Sequence, residues 1–518
     1  MEHHGSESYY VIGEGLLGES VGGRERTLSA AVEAQAIPFR FSRMGPSGIG
    51  RQLPDGTRKK LAQAMTAGGG GFSSIPAGFT YLGQFVDHDL TFDKTNVMLG
   101  QNVAPIDLLQ ARSPSLDLDS LYGAGPSDPA SAQFYEADGI HLKLGTTLAE
   151  GGIPAKAGHD LPRGAGSTNA AKRKAIIPDP RNDENLVVAQ THLAMMRFHN
   201  RVVDTLPASV PLADKFAKAR ELVVKHYQWM LRTDYLPRIC AAGVVNSVFN
   251  QGRKIFEVAA APTDVPTMPI EFSVAAFRLG HSMIRATYNW NRIFDDGGGS
   301  LDLLFAFSGH SGDLLGGLKL PSTWIADFRR LYDFSENNKP DLVVAPGKFN
   351  RARRIDSLLV QPLANVPGFP LAEANLAFRN LTRARMVRLA TGQQMATFVK
   401  NKGVNVTKLT SAQIRDGSSN SASLAGLTQT QRQAVLQNTP LWFYILREAE
   451  LNGGKLKGVG ARIVAETFHR AMEGSDHSIV RDTAFTPSLG PNNTTFRMVD
   501  LLFFAFEGKK TLLNPVGT

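Results

Sequence analysis

GQFVDHDLTF, residues Gly83–Phe92, places a histidine between two aspartates inside a mostly apolar segment. On a helix, Gln84, Asp87 and His88 recur at i, i+3 and i+4, so an amide, a carboxyl and an imidazole share one face. Asp89 then points towards a different partner. Taken alone, a histidine of this kind is typical of an exposed, salt-bridged side chain. Other segments of the chain must show whether His88 belongs to the protein surface or to a functional site.

The composition is that of an ordinary globular protein. The 518 residues are 42% hydrophobic and 20% charged, which leaves enough apolar side chains for a large core. The net charge of +9 permits acidic partners, but the basic residues are scattered, with one cluster at Lys172–Lys174, so nucleic acid is not expected as a partner. The single cysteine, Cys240, excludes an intrachain disulfide and a multi-cysteine zinc site. No apolar run reaches about 18 residues, and no membrane span is expected.

Helical periodicity dominates the chain. Apolar residues recur at helical spacing over Arg181–Val203, Ala213–Leu231 and Phe272–Ile284. No stretch alternates polar and apolar residues between hairpin turns, as strands would. We therefore predict a mainly α fold with long loops and little β structure. The predicted organisation is an N-terminal arm at 1–36, one large helical domain at 37–518 and a loop-rich insertion at 124–170.

A second polar cluster lies in SPSLDLDSLYG, residues 113–123. Asp117 and Asp119 alternate there with leucines, and hydroxyl groups at Ser113 and Ser115 precede them. Hard cations such as Ca²⁺ prefer a dense set of oxygen ligands. The stretch lacks the spacing and the glycine of an EF-hand, so an aspartate-rich turn without an ion explains it equally well.

Five separated segments together resemble the animal-type, myeloperoxidase-like haem peroxidases of the peroxidase–cyclooxygenase superfamily. GQFVDHDLTF is similar to the distal-helix signature of that family, and SPSLDLDSLYG is similar to its calcium loop. The other three are a segment with the catalytic arginine, a segment with the proximal iron ligand and a later proximal motif: PDPRNDENLVVAQTHLAMMRFHNR (178–201), FRLGH (277–281) and NLTR (380–383). The segments stand in the family's order. Because the chain lacks disulfides and a conventional signal peptide, a bacterial member of the family is expected.

The resemblance implies an enzyme that uses hydrogen peroxide to oxidise small electron donors, namely phenols, iodide, bromide or thiocyanate, through a ferryl intermediate. It implies His88 as the distal acid/base catalyst with Gln84 beside it, Arg181 as the distal arginine, and His281 as the proximal ligand of the haem iron. A proximal histidine leaves the sixth position of the iron open to peroxide. The imidazole would move a proton between the peroxide oxygens, and the guanidinium would stabilise charge on the leaving oxygen.

The implied cofactor is haem b, ester-linked through Asp87 and Glu184, which match the two carboxylates that bond to haem methyl groups in mammalian members. Asn185 stands where myeloperoxidase has a methionine that forms a third haem bond, so chloride is not expected to be the preferred substrate. Asn380 matches the asparagine that accepts a hydrogen bond from the ligand imidazole. Two arginines are candidate partners of the haem propionates: Arg278 and Arg383.

The resemblance also implies a calcium site next to the distal histidine. One cation there would tie the 113–123 loop to the helix that carries His88. The implied ligands are Asp89, Ser113, Ser115 (through its backbone carbonyl), Asp117 and Asp119.

Two other functions stay open. Fatty-acid dioxygenases of the same superfamily use a radical tyrosine about three residues before the proximal histidine, where this chain has Arg278. A non-enzymatic adhesion or matrix protein on the same scaffold would not need His88, Arg181 and His281. The absence of a conventional signal peptide leads us to expect a cytoplasmic protein or one exported by a non-classical route.

Overall fold

Helices dominate the computed structural model of this chain, which describes residues 39–95, 97–366 and 369–517. The predicted arm at 1–36 lies outside these residues. Within them, eleven α-helices have eight residues or more: α1 Asp55–Met65, α2 Gly78–Leu90, α3 Leu186–Thr205, α4 Lys215–Met230, α5 Ala242–Gln251, α6 Leu376–Met386, α7 Gly392–Asn401, α8 Gln429–Gln437, α9 Leu441–Glu450, α10 Gly458–Glu473 and α11 Met498–Ala505. Shorter α-helical segments are Asp119–Tyr122, Asn169–Arg173, Leu236–Ile239, Ile270–Ser273, Gly280–Met283, Leu301–Ala306, Ser411–Asp416 and Lys510–Leu513.

Strands are short and pair in twos wherever the structure describes them. The one parallel pair is β1 Phe41–Ser42 with β5 Met268–Pro269. The antiparallel pairs are β2 Phe72–Pro76 with β8 Arg351–Arg353, β3 Gly145–Thr146 with β4 Ala157–Asp160, and β6 Thr287–Tyr288 with β7 Gly299–Ser300. The predicted mainly α fold is therefore confirmed. Over the described ranges, no helix combines the length and the apolar character that crossing a bilayer requires. The domain bounds and the 124–170 insertion stay predictions.

The predicted helix at Phe272–Ile284 is wrong, because the chain is broken there into three short pieces. Ile270–Ser273 and Gly280–Met283 are single α-turns, and Ala276–Leu279 between them is a 3₁₀ turn. The backbone of Ala275 leaves the helical region at φ −135° and ψ −70°. The carbonyl of Ser273 accepts a hydrogen bond of 3.0 Å from Arg278 Nε instead of continuing a helix. The break puts His281 on a separate turn.

The helix predicted at Arg181–Val203 begins later than expected. A 3₁₀ turn, Pro180–Asp183, comes first, with a proline in its first positions and the Asp179 side chain accepting a hydrogen bond from the backbone of Arg181. α3 then begins after Asn185, whose side chain caps the helix by accepting from Val188 N at 2.9 Å. Arg181 and Glu184 consequently lie on a tight turn and not on the helix.

α2 lies at the centre of the core. Every residue from Gly78 to Leu90 is buried, although only one face of the helix is apolar. The helix packs against α3 and against the Gly280–Met283 turn. The polar side chains of α2 must therefore find their hydrogen-bond partners inside the protein, since a buried polar group without a partner costs several kcal/mol, roughly 2–7 by transfer measurements.

Gly83 offers a test of this packing. A Cβ atom at Gly83 would fall on Tyr235 Oη. Tyr235 is itself 2% exposed and packs against Phe277 and Phe468, so its ring has little room to move. We expect Gly83→Ala to lower the free energy of unfolding by about 1–3 kcal/mol, measured by chemical denaturation.

Two further variants make this test specific. Gly56→Ala in α1 is the matched control, because a Cβ there meets nothing within 4 Å, and stability should stay the same or rise by about 0.5–1 kcal/mol. Adding Tyr235→Phe to Gly83→Ala should recover part of the loss, since it removes the clashing hydroxyl. A Gly83→Ala protein as stable as the wild type would contradict the packing.

Candidate active site

His88 lies in the last turn of α2 and is 1% exposed, so it is not a surface histidine. Its Nδ1 atom lies 2.9 Å from Asn182 Oδ1. Because an amide oxygen only accepts, Nδ1 carries the proton and donates it. Nε2 is then the unprotonated nitrogen. It has no hydrogen-bond partner among the described residues and lies 3.6 Å from Glu184 Oε1.

Asn182 and His192 complete a chain of hydrogen bonds that was not predicted from the sequence. Asn182 Nδ2 donates to His192 Nδ1 at 3.0 Å, and all three side chains are buried. The sequence feature that could have indicated Asn182 is its position directly after Arg181. Burial, followed by the nearby Arg181 guanidinium, lowers the pKa of His88 to about 3. The imidazole is therefore neutral at ordinary pH.

Glu184 faces His88 as a buried carboxyl and is 0% exposed. Its Oε1 atom accepts from Gln84 Nε2, and its Oε2 atom has no partner among the described residues. Asn185 Nδ2 donates to Gln84 Oε1 at 3.0 Å and so fixes the direction of the Gln84 amide. Burial raises the pKa of Glu184 well above its ordinary value. Burial thus favours the neutral form of this carboxyl beside the His88 imidazole.

Arg181 is a buried cation that forms an ion pair with the carboxylate of Asp179. Its Nε and Nη2 atoms donate to Asp179 at 3.0 and 2.7 Å, and Nη2 also donates to the His88 carbonyl at 2.9 Å. Arg112 donates to the same Asp179 at 2.6 Å. Although burial acts in the opposite direction, Arg181 and Arg112 hold the pKa of Asp179 well below its ordinary value. The ion cluster fixes Arg181 to the backbone of α2.

Asp87 is a buried carboxyl that interacts electrostatically with arginines from two other segments of the chain. Burial raises the pKa of Asp87 to about 6, although Arg181 and Arg278 both attract its charged form. Arg181 comes from the turn before α3, and Arg278 comes from the 3₁₀ turn just before His281. The structure therefore brings the predicted residues of the GQFVDHDLTF, PDPRNDEN and FRLGH segments together.

His281 is 1% exposed and contacts Asn380 as predicted, but the direction of the hydrogen bond is the reverse of the predicted one. Asn380 Nδ2 lies 2.7 Å from His281 Nδ1, so the amide donates and the ring nitrogen accepts. The reason is Arg278, whose Nη1 atom donates to Asn380 Oδ1 and so holds the amide oxygen away from the histidine.

Arg383, the other arginine expected near a propionate, forms a buried ion pair with Asp93 just after α2. Both predicted propionate partners thus contact protein groups in this structure. Their role towards a cofactor stays a prediction.

Asp89 ties α2 to the 113–123 loop through direct hydrogen bonds. Its carboxylate accepts from Ser120 N and Oγ at 3.2 and 3.1 Å and from Leu118 N at 3.3 Å. Burial, followed by repulsion from Asp119, raises the pKa of Asp89 to about 7. The structure therefore joins the two elements that the predicted calcium site would join.

The other predicted calcium ligands contact different groups. Asp117 accepts from Ser475 Oγ at 2.5 Å and from Asp476 N at 3.0 Å, and Asp119 lies 3.6 Å from Arg220. The two serines bond locally: Ser115 N donates to Ser113 Oγ at 3.3 Å, and Ser115 Oγ donates to Gly474 O at 3.2 Å. In the described part of the chain, no three acidic, histidine or cysteine side chains converge in a metal-binding arrangement.

Similarity to known proteins points to one family. Residues 91–302 match the family model of the animal haem peroxidases. This segment contains Arg181, Glu184 and His281, and it begins three residues after His88. A peroxidase-like protein of Margaritifera margaritifera is 28% identical over 115 residues, which cover 21% of this chain and 14% of that protein.

Solved structures with the same fold include enzymes of two kinds. Peroxidase A from Dictyostelium discoideum is 14% identical, with 92% of this chain and 94% of that chain covered and a TM-score of 0.59. The fatty acid α-dioxygenase of Oryza sativa is 11% identical, with 88% and 76% covered and a TM-score of 0.53. That of Arabidopsis thaliana is 13% identical, with 90% and 76% covered and a TM-score of 0.52. At these identities the likeness establishes the fold alone.

Proposed function

We propose that this chain, whose residues 91–302 match the animal haem peroxidase family model, uses hydrogen peroxide to oxidise small electron donors such as phenols, iodide, bromide or thiocyanate. The observation that carries the proposal is His88 Nε2. It is a buried, unprotonated imidazole nitrogen without a partner among the described residues, held in that state by Asn182 and placed beside Glu184. A neutral imidazole in this setting is ready to accept a proton from peroxide.

The residues present fit a haem whose iron is bound by histidine. His281 is a buried imidazole oriented by Asn380, and neutral imidazole is a common haem ligand. Haem, when bound, supplies the iron that binds peroxide and the capacity to take electrons from a donor. Ligation through Nε2 requires the His281 proton on Nδ1. Asn380 must then present its oxygen, and Arg278 must release that oxygen.

The other residues of the site act on peroxide through position and charge. His88 takes a proton from one peroxide oxygen and returns it to the departing one. Arg181 stabilises the negative charge that grows on the departing oxygen, and Asp179 keeps its guanidinium in a single orientation. Gln84 lies beside His88 with its amide direction set by Asn185.

The fold does not separate a peroxidase from a fatty-acid dioxygenase, because both kinds of enzyme share it. The position three residues before His281 favours the peroxidase. Arg278 stands there, where the dioxygenases have their radical tyrosine, and its guanidinium is bonded to Asn380. Oxygen uptake with a fatty acid in the absence of peroxide would favour the dioxygenase instead. The interlocked buried polar groups of the site disfavour a purely adhesive protein.

We expect the haem-loaded protein to have a histidine-ligated spectrum, and we expect the His281→Ala variant to lose that spectrum.

His88→Ala should slow the reaction with peroxide by about 10²–10⁴-fold while haem stays bound, because the proton acceptor is gone. Stopped-flow mixing with peroxide measures both the spectrum and the rate. His141→Ala is the matched control, since His141 is bonded to Asp138 and Asp204 away from the site. An unchanged rate in His88→Ala would refute the proposed role.

We propose ester bonds from Asp87 and Glu184 to the haem. Both are buried carboxyls with raised pKa values, and both flank the candidate distal residues. Protein cycled with peroxide should keep its haem through extraction with acidic organic solvent. Glu184→Gln, which preserves shape, should leave one bond, and Asp87→Asn with Glu184→Gln should release all of the haem. Complete release from the wild type would reject the ester bonds.

We propose calcium as a second cofactor, held by Asp89, Asp117 and Asp119 with oxygens from Ser113 and Ser115. The support is the direct contact of Asp89 with the loop. Calcium at about 100 times its Kd should stabilise the fold by about 2.7 kcal/mol over chelator-treated protein. Asp117→Asn should abolish most of this gain in thermal unfolding, whereas the exposed Asp416→Asn should retain it. Equal melting temperatures with calcium and with chelator would exclude the site.

A further inference from the structure

A cavity of about 550 Å³ lies between α1 and α6. A volume of this size is typical of the sites at which proteins bind small organic molecules. Leu53 and Phe378, which are both buried, supply apolar parts of its wall. Arg58 and Arg385 supply positive charge to the same wall. The cavity therefore combines an apolar surface with two guanidinium groups.

α6 separates this cavity from the candidate active site. Asn380 and Arg383 belong to the candidate site and lie three residues apart, so they share one face of the helix. Thr382 and Arg385 line the cavity and also lie three residues apart. At 3.6 residues per turn, the two pairs lie roughly 160° apart around the helix axis. The cavity and the candidate site are consequently on opposite sides of α6.

Arg58 is a buried guanidinium with spare hydrogen-bonding capacity. It is 5% exposed, its Nη1 atom donates to Leu53 O at 2.5 Å and its Nη2 atom donates to Asp55 Oδ1 at 3.1 Å. Its Nε atom has no hydrogen-bond partner among the described residues. These contacts use only part of the N–H donors of a guanidinium. Arg58 can therefore donate further hydrogen bonds.

Arg385 places a second guanidinium on the same cavity. Its Nη1 atom donates to Gly100 O at 2.5 Å, and in the described part of the chain no acidic side chain forms an ion pair with it. Burial lowers the pKa of Arg58, and repulsion from Arg385 adds to this effect although Asp55 opposes it. An anion bound between the two guanidiniums would relieve this repulsion.

The acidic residues of the cavity wall are already shared with other cations. Asp55 lies 3.1 Å from both Arg58 and Lys59, and its side chain is 56% exposed, so water screens its charge. Glu373 lies 3.8 Å from Arg379. Neither carboxylate forms an ion pair with the guanidinium on α6. The wall thus leaves an excess of positive charge.

We propose that this cavity binds a small organic oxyanion, a carboxylate or a phosphate ester with an apolar body, through Arg58 and Arg385. Guanidinium groups match the paired oxygens of both kinds of headgroup and form strong, charge-assisted hydrogen bonds with them. Leu53 and Phe378 pack against the apolar body. The site is separate from the proposed reaction with peroxide and goes beyond it.

Four probe compounds test the proposal by isothermal titration calorimetry on the full-length protein with haem supplied. Phenylacetate and phenyl phosphate carry the two headgroups on the same ring, phenylacetamide is the neutral analogue, and inorganic phosphate lacks the apolar body. We expect at least one of the two phenyl oxyanions to bind with a Kd below about 1 mM. Phenylacetamide should bind at least about tenfold more weakly, because it lacks the charge-assisted hydrogen bonds. The tighter oxyanion identifies the headgroup, and inorganic phosphate should bind more weakly than phenyl phosphate.

Two variants locate the binding, and a third is the matched control. Arg385→Met should weaken binding of the oxyanions about tenfold and leave that of phenylacetamide unchanged. Ala372→Trp places a large side chain at an exposed position of the cavity wall and should abolish binding of the oxyanions. Arg415→Met should change nothing, since Arg415 is exposed, pairs with Asp416 and lies outside the cavity wall.

Each outcome decides for or against the site. The proposal is overturned if neither phenyl oxyanion binds with a Kd below about 1 mM, or if phenylacetamide binds as tightly as they do. Oxyanion binding that Arg385→Met and Ala372→Trp leave unchanged overturns it too. If Arg385→Met does not fold, Ala372→Trp decides. Oxyanion binding in a haem-loaded protein that fails to react with peroxide counts against the proposed function alone.

Discussion

The burial of α2 on all sides is the constraint on which the site depends. A helix with a polar face is ordinarily stable at the surface, but here Gln84, His88 and Asp89 are removed from water. Each therefore needs a partner from another part of the chain, because an unpaired buried polar group is costly. Glu184, Asn182 and Ser120 supply these partners. The hydrogen bonds of the site thus offset the cost of burying the polar side chains of α2.

Burial also decides which groups of the site are charged. Arg181 and Arg112 share Asp179, and this cluster stays ionised because the guanidiniums stabilise the carboxylate. For Glu184 and His88, desolvation outweighs the attraction of Arg181 for the carboxylate and of Asp179 for the imidazolium, so burial favours the neutral form of each. The result is an ion cluster of two guanidiniums and one carboxylate next to an imidazole and a carboxyl whose neutral forms burial favours.

Asn182 and Asn380 present opposite ends of their side-chain amides to the two key histidines. Asn182 presents its oxygen to His88, whereas Asn380 presents its nitrogen to His281. In each case a third side chain, His192 or Arg278, holds the other end of the amide. His88 consequently carries its proton on Nδ1, and the Nδ1 atom of His281 accepts. On both sides of the site, the amide end that faces the ring decides whether the Nδ1 atom donates or accepts a hydrogen bond.

The sequence by itself determined the features that depend on local spacing. Positions i, i+3 and i+4 on a helix predicted the shared face of Gln84 and His88, and periodicity predicted the mainly α fold. Motifs that stand in the order of a known family predicted Arg181, Glu184 and His281 as site residues. Only the tertiary structure decided the break of the helix at Ala275, the reversed amide of Asn380 and the chain through His192. Those outcomes depend on contacts between segments distant in sequence, such as Arg278 with Asn380, and on which amide end a neighbour occupies. No local pattern of residue types contains that information.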